Sequence, residues 1–282
     1  MHKRFILLPL ILCVGLNAWA GVANDIPSCY VASKVGVPVP SPAREIFVLV
    51  DQTTPLDSRL QGAVRENVGR LVQPGTAFVI SSFSSFGQGR YLEILTAGTL
   101  EPPIDENLRN DIGVKLLRNF DTCLKSQLDY GRHVVAAGLH KALDGSSSEL
   151  AKSDVMGSLR EISVRVRQSS AKEKVVFIVS DMLENSGVST FYANKNVRAL
   201  DVEMEIKKAE SAHQMGDFGG ARIFVLGAGL VQESLGSRNR DSGVYRDPKT
   251  MTMLKQFWER YFVKSNARLV EFGAPALLSP VQ

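Results

Sequence analysis

The 282-residue sequence has few of the residues that build metal clusters and redox centres. It contains three cysteines and four histidines. They form neither a C-x-x-C motif nor a Cys/His cluster, so zinc sites and thiol redox chemistry lack support. A G-x-S-x-G segment, which presents the nucleophile of α/β hydrolases, is also missing. These absences argue against zinc enzymes, thiol oxidoreductases and α/β hydrolases.

Long apolar runs and clustered charges are equally scarce beyond the first twenty residues. No later stretch approaches transmembrane length, and no run of Lys and Arg indicates a nucleic-acid or membrane surface. The formal net charge is +4, and it falls to +2 when Lys3 and Arg4 are removed with the segment described next. We therefore expect no nucleic-acid partner and no integral membrane segment in the mature chain.

Residues 1–20 have the organisation of a secretory signal peptide. A positive region at His2–Arg4 precedes an apolar run at Phe5–Leu16, and Ala18–Ala20 forms an A-x-A cleavage signal. This pattern predicts cleavage after Ala20 and a periplasmic or secreted protein. The alternative is a lipoprotein anchored at Cys13, but Leu12 is larger than the residue that normally precedes a lipidated cysteine.

The mature chain keeps two cysteines, Cys29 and Cys123. An even pair in an oxidising compartment favours a disulfide, which would join the N-terminal segment to the body of the protein. The alternative is that Cys123, at helical spacing from Phe120 and next to Leu124, is a small core residue.

The mature chain has 262 residues, which is enough for one large α/β domain with its own core. Residues 21–44 contain four prolines, so we expect an extended leader without a helix. The predicted α/β domain covers residues 45–274, and residues 275–282 form a tail.

Two buried strands carry acids at their carboxyl ends. The apolar run Ile46–Val50 ends in Asp51, and Val175–Val179 is followed by Ser180 and Asp181. In an open α/β sheet, ligands bind at the carboxyl ends of the strands where the strand order reverses. If these two strands are neighbours there, Asp51 and Asp181 face each other.

The remaining periodicity predicts an alternation of strands and helices. Only residues 83–90 separate strands 76–82 and 91–97, which is too short for a parallel crossover, so these strands must pair antiparallel. Helices are predicted over 56–71, 108–143 with a break near Gly131, 155–166, 197–213 and 254–261, with further strands at 222–226 and 268–272. The prediction is a three-layer α/β sandwich: a six-stranded, mostly parallel sheet with one antiparallel edge strand and helices on both faces.

The helical region 108–143 also holds two histidines, His133 and His140, seven residues apart on one side of the helix. Because no third ligand accompanies them, we interpret them as ordinary helix residues.

Three segments resemble the von Willebrand factor A-like (vWA) domain family. They are DQTTP after the first strand, KSDVMGSL at Lys152–Leu159, and VVFIVSDM at the end of the fourth strand. The resemblance covers most of Glu45–Phe272. It implies a metal-ion-dependent adhesion site that binds Mg²⁺ or another divalent cation, and its ligands would be Asp51, Thr53, Ser153 and Asp181.

The sequence departs from the family pattern at Pro55, where the family has a serine. Proline has no side-chain oxygen, and Thr54 is an off-register substitute, so the resemblance implies a degenerate site in which water must replace an oxygen ligand. Other interpretations remain: Thr53 and Thr54 as a loop capping the next helix, Ser153 and Asp154 as an N-cap, and Asp181 as an acid at a helix start.

The resemblance implies a non-enzymatic, exported module that binds a partner protein at the carboxyl end of its sheet, in adhesion or assembly. A metal-dependent phosphohydrolase using Asp51 and Asp181 is one alternative, although Thr53 stands where a second acid is needed and no basic residue is close in sequence. A metal-free structural subunit of an envelope, secretion or conjugation assembly is another. A rim of Arg238, Arg240 and Arg246 would suit an acidic partner, unless these arginines belong to a solvated loop.

Overall fold

The structure is a computed structural model that describes residues 24–84, 92–146, 153–193, 196–230 and 247–282. The predicted signal peptide lies outside these residues, as do Cys13 and the three arginines at 238, 240 and 246.

A six-stranded sheet forms the centre of the molecule. Its strand order is β3-β2-β1-β4-β7-β8, and a separate ribbon pairs β5 with β6. Strand β3 runs antiparallel to β2 at one edge, whereas the other neighbours are parallel. The predicted sheet is therefore confirmed. The strands are β1 (Arg44–Asp51), β2 (Thr76–Phe83), β3 (Leu92–Thr99), β4 (Glu173–Val179), β5 (Tyr192–Ala193), β6 (Asn196–Val197), β7 (Ala221–Leu226) and β8 (Ala267–Gly273).

Helices cover both faces of the sheet, as the sequence predicts. The seven helices in the described residues are α1 (Cys29–Ser33), α2 (Ser58–Leu71), α3 (Glu106–Arg109), α4 (Val114–Asp144), α5 (Val155–Gln168), α6 (Val202–Ser211) and α7 (Pro248–Lys264). Alternate residues of β1 point to opposite faces. Phe47 and Leu49 pack with α5, α6 and α7, whereas Ile46, Val48 and Val50 pack with α2, α4 and the C-terminal tail.

The long helix α4 differs from its prediction in two ways. It continues through Gly131, where we expected a break. A side chain at position 131 would overlap Leu100, so this glycine allows close packing and does not mark a helix end. The helix also starts only at Val114. Leu108 belongs to the short α3 and is 45% exposed, so it does not share the buried face of Phe120.

The prediction of a leader without a helix is wrong, because α1 lies within residues 21–44. The Glu101 carboxylate accepts hydrogen bonds from the backbone N–H groups of Cys29 (2.6 Å) and Tyr30 (3.3 Å), which a helix leaves unpaired at its first turn. The predicted disulfide is confirmed: Cys29 and Cys123 are bonded, with their Cα atoms 5.7 Å apart. The partners of α1 therefore lie 71 to 94 positions further along the chain, at Glu101 after β3 and at Cys123 in α4.

Two further segments have boundaries that the periodicity missed. The helix predicted over 197–213 begins at Val202, because Asp201 caps it and Val197 belongs to β6. The tail also packs back onto the domain: the Val281 N–H donates to Asn67 Oδ1 of α2 at 2.8 Å. None of the helices in the described ranges combines the length and the apolar character needed to cross a bilayer.

Candidate functional site

The candidate site lies where β1 and β4 end side by side. Val50 of β1 is in register with Val179 of β4. The next residues along the two strands, Asp51 and Ser180, therefore lie side by side. Strands β2 and β3 are added on one side of β1, and β4, β7 and β8 are added on its other side. The strand order therefore reverses between the parallel strands β1 and β4. This is the position at which open α/β sheets bind ligands.

Asp51 is completely buried and accepts four hydrogen bonds. Its Oδ1 accepts the Thr53 backbone N–H (2.9 Å) and the Thr53 hydroxyl (2.6 Å). Its Oδ2 accepts the hydroxyls of Ser180 (2.7 Å) and Ser153 (3.2 Å). Three hydroxyl groups from three separate segments of the chain therefore converge on this carboxylate.

Asp181 forms the partly buried side of the site. Its Oδ1 accepts the Leu183 N–H at 2.8 Å, and its own N–H donates to the Thr54 hydroxyl at 3.2 Å. The chain turns sharply at Met182, whose φ of 59° lies in the left-handed region. The Met182 carbonyl accepts the indole N–H of Trp258 at 2.9 Å, which helps to hold this turn.

The two carboxylates perturb each other. Burial raises the pKa of Asp51, and the hydrogen bonds from Thr53, Ser180 and Ser153 oppose that effect. Desolvation, followed by the negative charge of Asp51, raises the pKa of Asp181 well above its ordinary value. Two acids whose charges compete in this way form a place where a positive charge would be stabilised.

The donor set fits a hard divalent cation. A hydroxyl that donates its proton to Asp51 keeps lone pairs that are free to bind a metal ion. Within the described residues no three His, Cys, Asp or Glu side chains lie close enough together to hold a metal. A cation here would therefore be held by Asp51 and Asp181, by the hydroxyls of Thr53 and Ser153, and by water.

The structure brings the four predicted ligands to one edge of the sheet. It argues against a capping role for Thr53 and Thr54, and it confirms the N-cap predicted at Ser153–Asp154, with Asp154 as the capping residue. Helix α2 is capped by Asp57, whose side chain accepts the Leu60 N–H, so Thr53 and Thr54 do not cap it. Asp154, not Ser153, caps α5. After Asp181 the next helix starts only at Val202, so Asp181 is not at a helix start.

Ser180 is the site residue that the motif comparison missed. The family pattern assigns no role to this position, yet its hydroxyl makes one of the shorter hydrogen bonds to Asp51 and also accepts the Met182 N–H at 2.9 Å. The signal that identifies it is the register of two adjacent parallel strands, which places the residue after Val179 beside Asp51. Pro55 makes no contribution of this kind, because it has no side-chain oxygen.

Glu184 follows the site residues after β4, and its side chain is fully buried against the first turn of α5. Its Oε2 accepts the Met156 N–H at 2.9 Å. Burial raises the pKa of this carboxyl to about 8, so the group is mostly protonated at neutral pH. The next residue is linked to the site, since the Asn185 N–H donates to the Ser153 carbonyl at 2.9 Å.

Comparisons with known proteins do not place this chain in a family. No protein-family model matches the chain, and no curated protein matches it. Among solved structures, the chain is similar to the crystal structure of an aerotolerance-related membrane protein from Bacteroides fragilis NCTC 9343. The identity is 12% and the TM-score is 0.37, over 81% of this chain and 90% of that one.

Proposed function

We propose that this chain is an exported, non-enzymatic module that binds a partner protein at the carboxyl end of its sheet, with a divalent cation in the binding site. The observation that carries the proposal is the convergence of Asp51, Thr53, Ser153 and Asp181 at the switch point of the sheet. Segments about 100 and 130 residues beyond the end of β1 supply Ser153 and Asp181, and the meeting of such distant segments at this edge supports a ligand site.

The geometry gives each residue a distinct part in binding. The buried Asp51 orients the Thr53 and Ser153 hydroxyls, so that their lone pairs point away from it. Asp181 is only partly buried, so it is the carboxylate of the site that a ligand can reach from solvent. When bound, Mg²⁺ or a similar cation supplies a coordination position that a carboxylate of the partner completes, as the vWA resemblance implies.

A binding module is favoured over a phosphohydrolase by the groups that contact Asp51 in the described residues. Its hydrogen-bond donors are hydroxyls and one backbone N–H. In the described ranges, none of the salt bridges joins Lys or Arg to Asp51 or Asp181. A phosphate group would need such cations for its own charge.

Export is part of the proposal. It is supported by the A-x-A signal after an apolar segment in the sequence and by the disulfide between Cys29 and Cys123, because structural disulfides persist in oxidising compartments.

Titration of Mg²⁺ or Mn²⁺ into the protein lacking residues 1–20 tests the cation. We expect the thermal unfolding midpoint to rise with metal concentration, by the equivalent of about 2.7 kcal/mol at 100 times Kd. Asp181→Ala should abolish this rise. Asp201→Ala, which removes an acid that caps α6, is the matched control and should keep the rise. The absence of any metal-dependent stabilisation in the parent protein would remove the cation from the proposal.

A metal-free binding surface is the second candidate. It is favoured by the four hydrogen bonds that already satisfy Asp51 and by the raised pKa of Asp181, which favours a neutral acid in place of a cation. In that case the partner contacts the loops at this edge directly. Partner capture from an envelope extract that is unchanged by chelator, but lost in Asp181→Ala, would identify this candidate.

A further inference from the structure

A groove between α2 and α4 lies away from the site described above. It has a volume of about 240 Å³ and opens to the surface. Its floor is apolar and consists of Val72, Val135 and Leu139, which are at most 3% exposed. Gly69 of α2 and Ala136 of α4 form its low walls. None of these residues belongs to the site at the end of β1.

Gly69 keeps the groove open. It lies inside α2 and is exposed, and a side chain added there would meet nothing within 4 Å. Glycine in the interior of a helix costs roughly 0.5–1 kcal/mol relative to alanine. The residue is therefore not needed for helix formation or for close packing, and its effect is to leave space above the apolar floor.

The charged residues that line the groove are both arginines, one from each helix. The Arg65 guanidinium donates to the neutral Gln61 Oε1 at 3.2 Å, and neither Arg65 nor Arg132 takes part in a salt bridge within the described part of the chain. By contrast, seven other described arginines pair with a carboxylate. The groove thus combines an apolar floor with two unneutralised cations.

We propose that this groove binds a free, single-chain amphiphile with an anionic head group, such as a medium-chain carboxylate. The chain lies on Val72, Val135 and Leu139, and the carboxylate pairs with Arg65 or Arg132. Arginine is well suited to this because its guanidinium forms paired hydrogen bonds with a carboxylate. Pockets for drug-sized ligands typically enclose roughly 300–1,000 Å³, so the smaller groove suits a slender chain better than a ring-bearing cofactor.

Binding of decanoate, kept below its micelle concentration, tests the proposal. The titration follows the backbone amide resonances of the full mature chain by NMR, with decyltrimethylammonium as the cationic probe of equal chain length. We expect saturable shifts at Gly69 and Ala136 with decanoate, and at least tenfold weaker binding of the cation. Gly69→Leu should fill the groove and weaken decanoate binding at least tenfold.

Gly62→Leu is the matched control, because Gly62 is on the same helix, also faces open space, and does not line the groove. It should bind decanoate like the parent. Replacing both arginines with glutamine should weaken decanoate at least fivefold and leave the cationic probe unchanged. Equal binding of the two probes, binding that survives Gly69→Leu, or no saturable binding would overturn the proposal. So would binding of phospholipid vesicles or of an acidic amphipathic peptide at this groove without binding of decanoate.

Discussion

Loss of the proton from Glu184 should lower the stability of this protein as the pH rises from 7 to 9. The carboxyl is buried, and burial raises its pKa to about 8 in the folded protein. In the unfolded chain a glutamate has a pKa of about 4.3. Between these two values the folded state binds one more proton than the unfolded state, so each increase in pH favours unfolding.

The size of the effect follows from the folded-state pKa. A proton difference of one changes the free energy of unfolding by about 1.36 kcal/mol per pH unit. Because the folded carboxyl itself titrates near pH 8, the average proton difference between pH 7 and pH 9 is about one half. The expected loss over these two units is therefore about 1.4 kcal/mol, or roughly 3–6 °C in unfolding midpoint for a chain of this size.

Urea unfolding at pH 7 and at pH 9 measures this loss, in the parent and in Glu184→Gln. The amide keeps an oxygen that accepts the Met156 N–H but does not titrate, so the variant should lose about 1.4 kcal/mol less than the parent.

Glu205→Gln is the matched control for a second buried glutamate. Burial raises the pKa of Glu205, but hydrogen bonds from Ser189, Arg198 and Lys208 outweigh it and lower the pKa overall. That group is ionised at both pH values, so its variant should show the same pH-dependent loss as the parent. An equal loss in the parent and in Glu184→Gln would refute the reasoning.

Three further predictions concern the site, a glycine and the disulfide. Ser180→Ala should cost about 1.5–3 kcal/mol in urea unfolding, because it removes a hydrogen bond to the buried Asp51 carboxylate; a change below about 0.5 kcal/mol would contradict that role. Gly131→Ala should destabilise α4 by about 1–3 kcal/mol through overlap with Leu100, whereas Gly62→Ala at an open position should stabilise by up to about 1 kcal/mol. Reduction of the Cys29 disulfide should cost about 2–4 kcal/mol, and an unfolding midpoint that is insensitive to reductant would contradict it.

The sheet is the part of the structure that the sequence predicts best. The strands at its centre are continuous apolar runs, and such runs are typical of strands buried on both faces. The antiparallel edge strand follows from the length of the connection between β2 and β3, which has too few residues for a parallel crossover. Patterns of this kind are local, and local patterns can be read without knowing the tertiary contacts.

Features that depend on distant partners were missed for the same reason. The helix α1 requires Glu101, about 70 residues away, to accept its first N–H groups. The glycine within α4 is explained by Leu100, which leaves no room for a side chain at position 131. In both places the local signal, prolines in the leader and a glycine in a helix, indicated the wrong structure because a tertiary contact outweighs it.

The same distinction applies to the candidate site. The family motif directs attention to Pro55, because its pattern counts oxygens along one loop. The fold holds Asp51 from elsewhere: the hydroxyl of Ser180, directly after β4, donates a hydrogen bond to its Oδ2 at 2.7 Å. The position of the Asp51 carboxylate therefore does not depend on residue 55. What decides between a cation and a metal-free surface is instead the charge on Asp181, whose raised pKa means that a cation must compete with a proton. Metal affinity at this site should accordingly increase as the pH rises above the ordinary range of an aspartate, and an affinity that does not change with pH would show that no proton competes with the cation at Asp181.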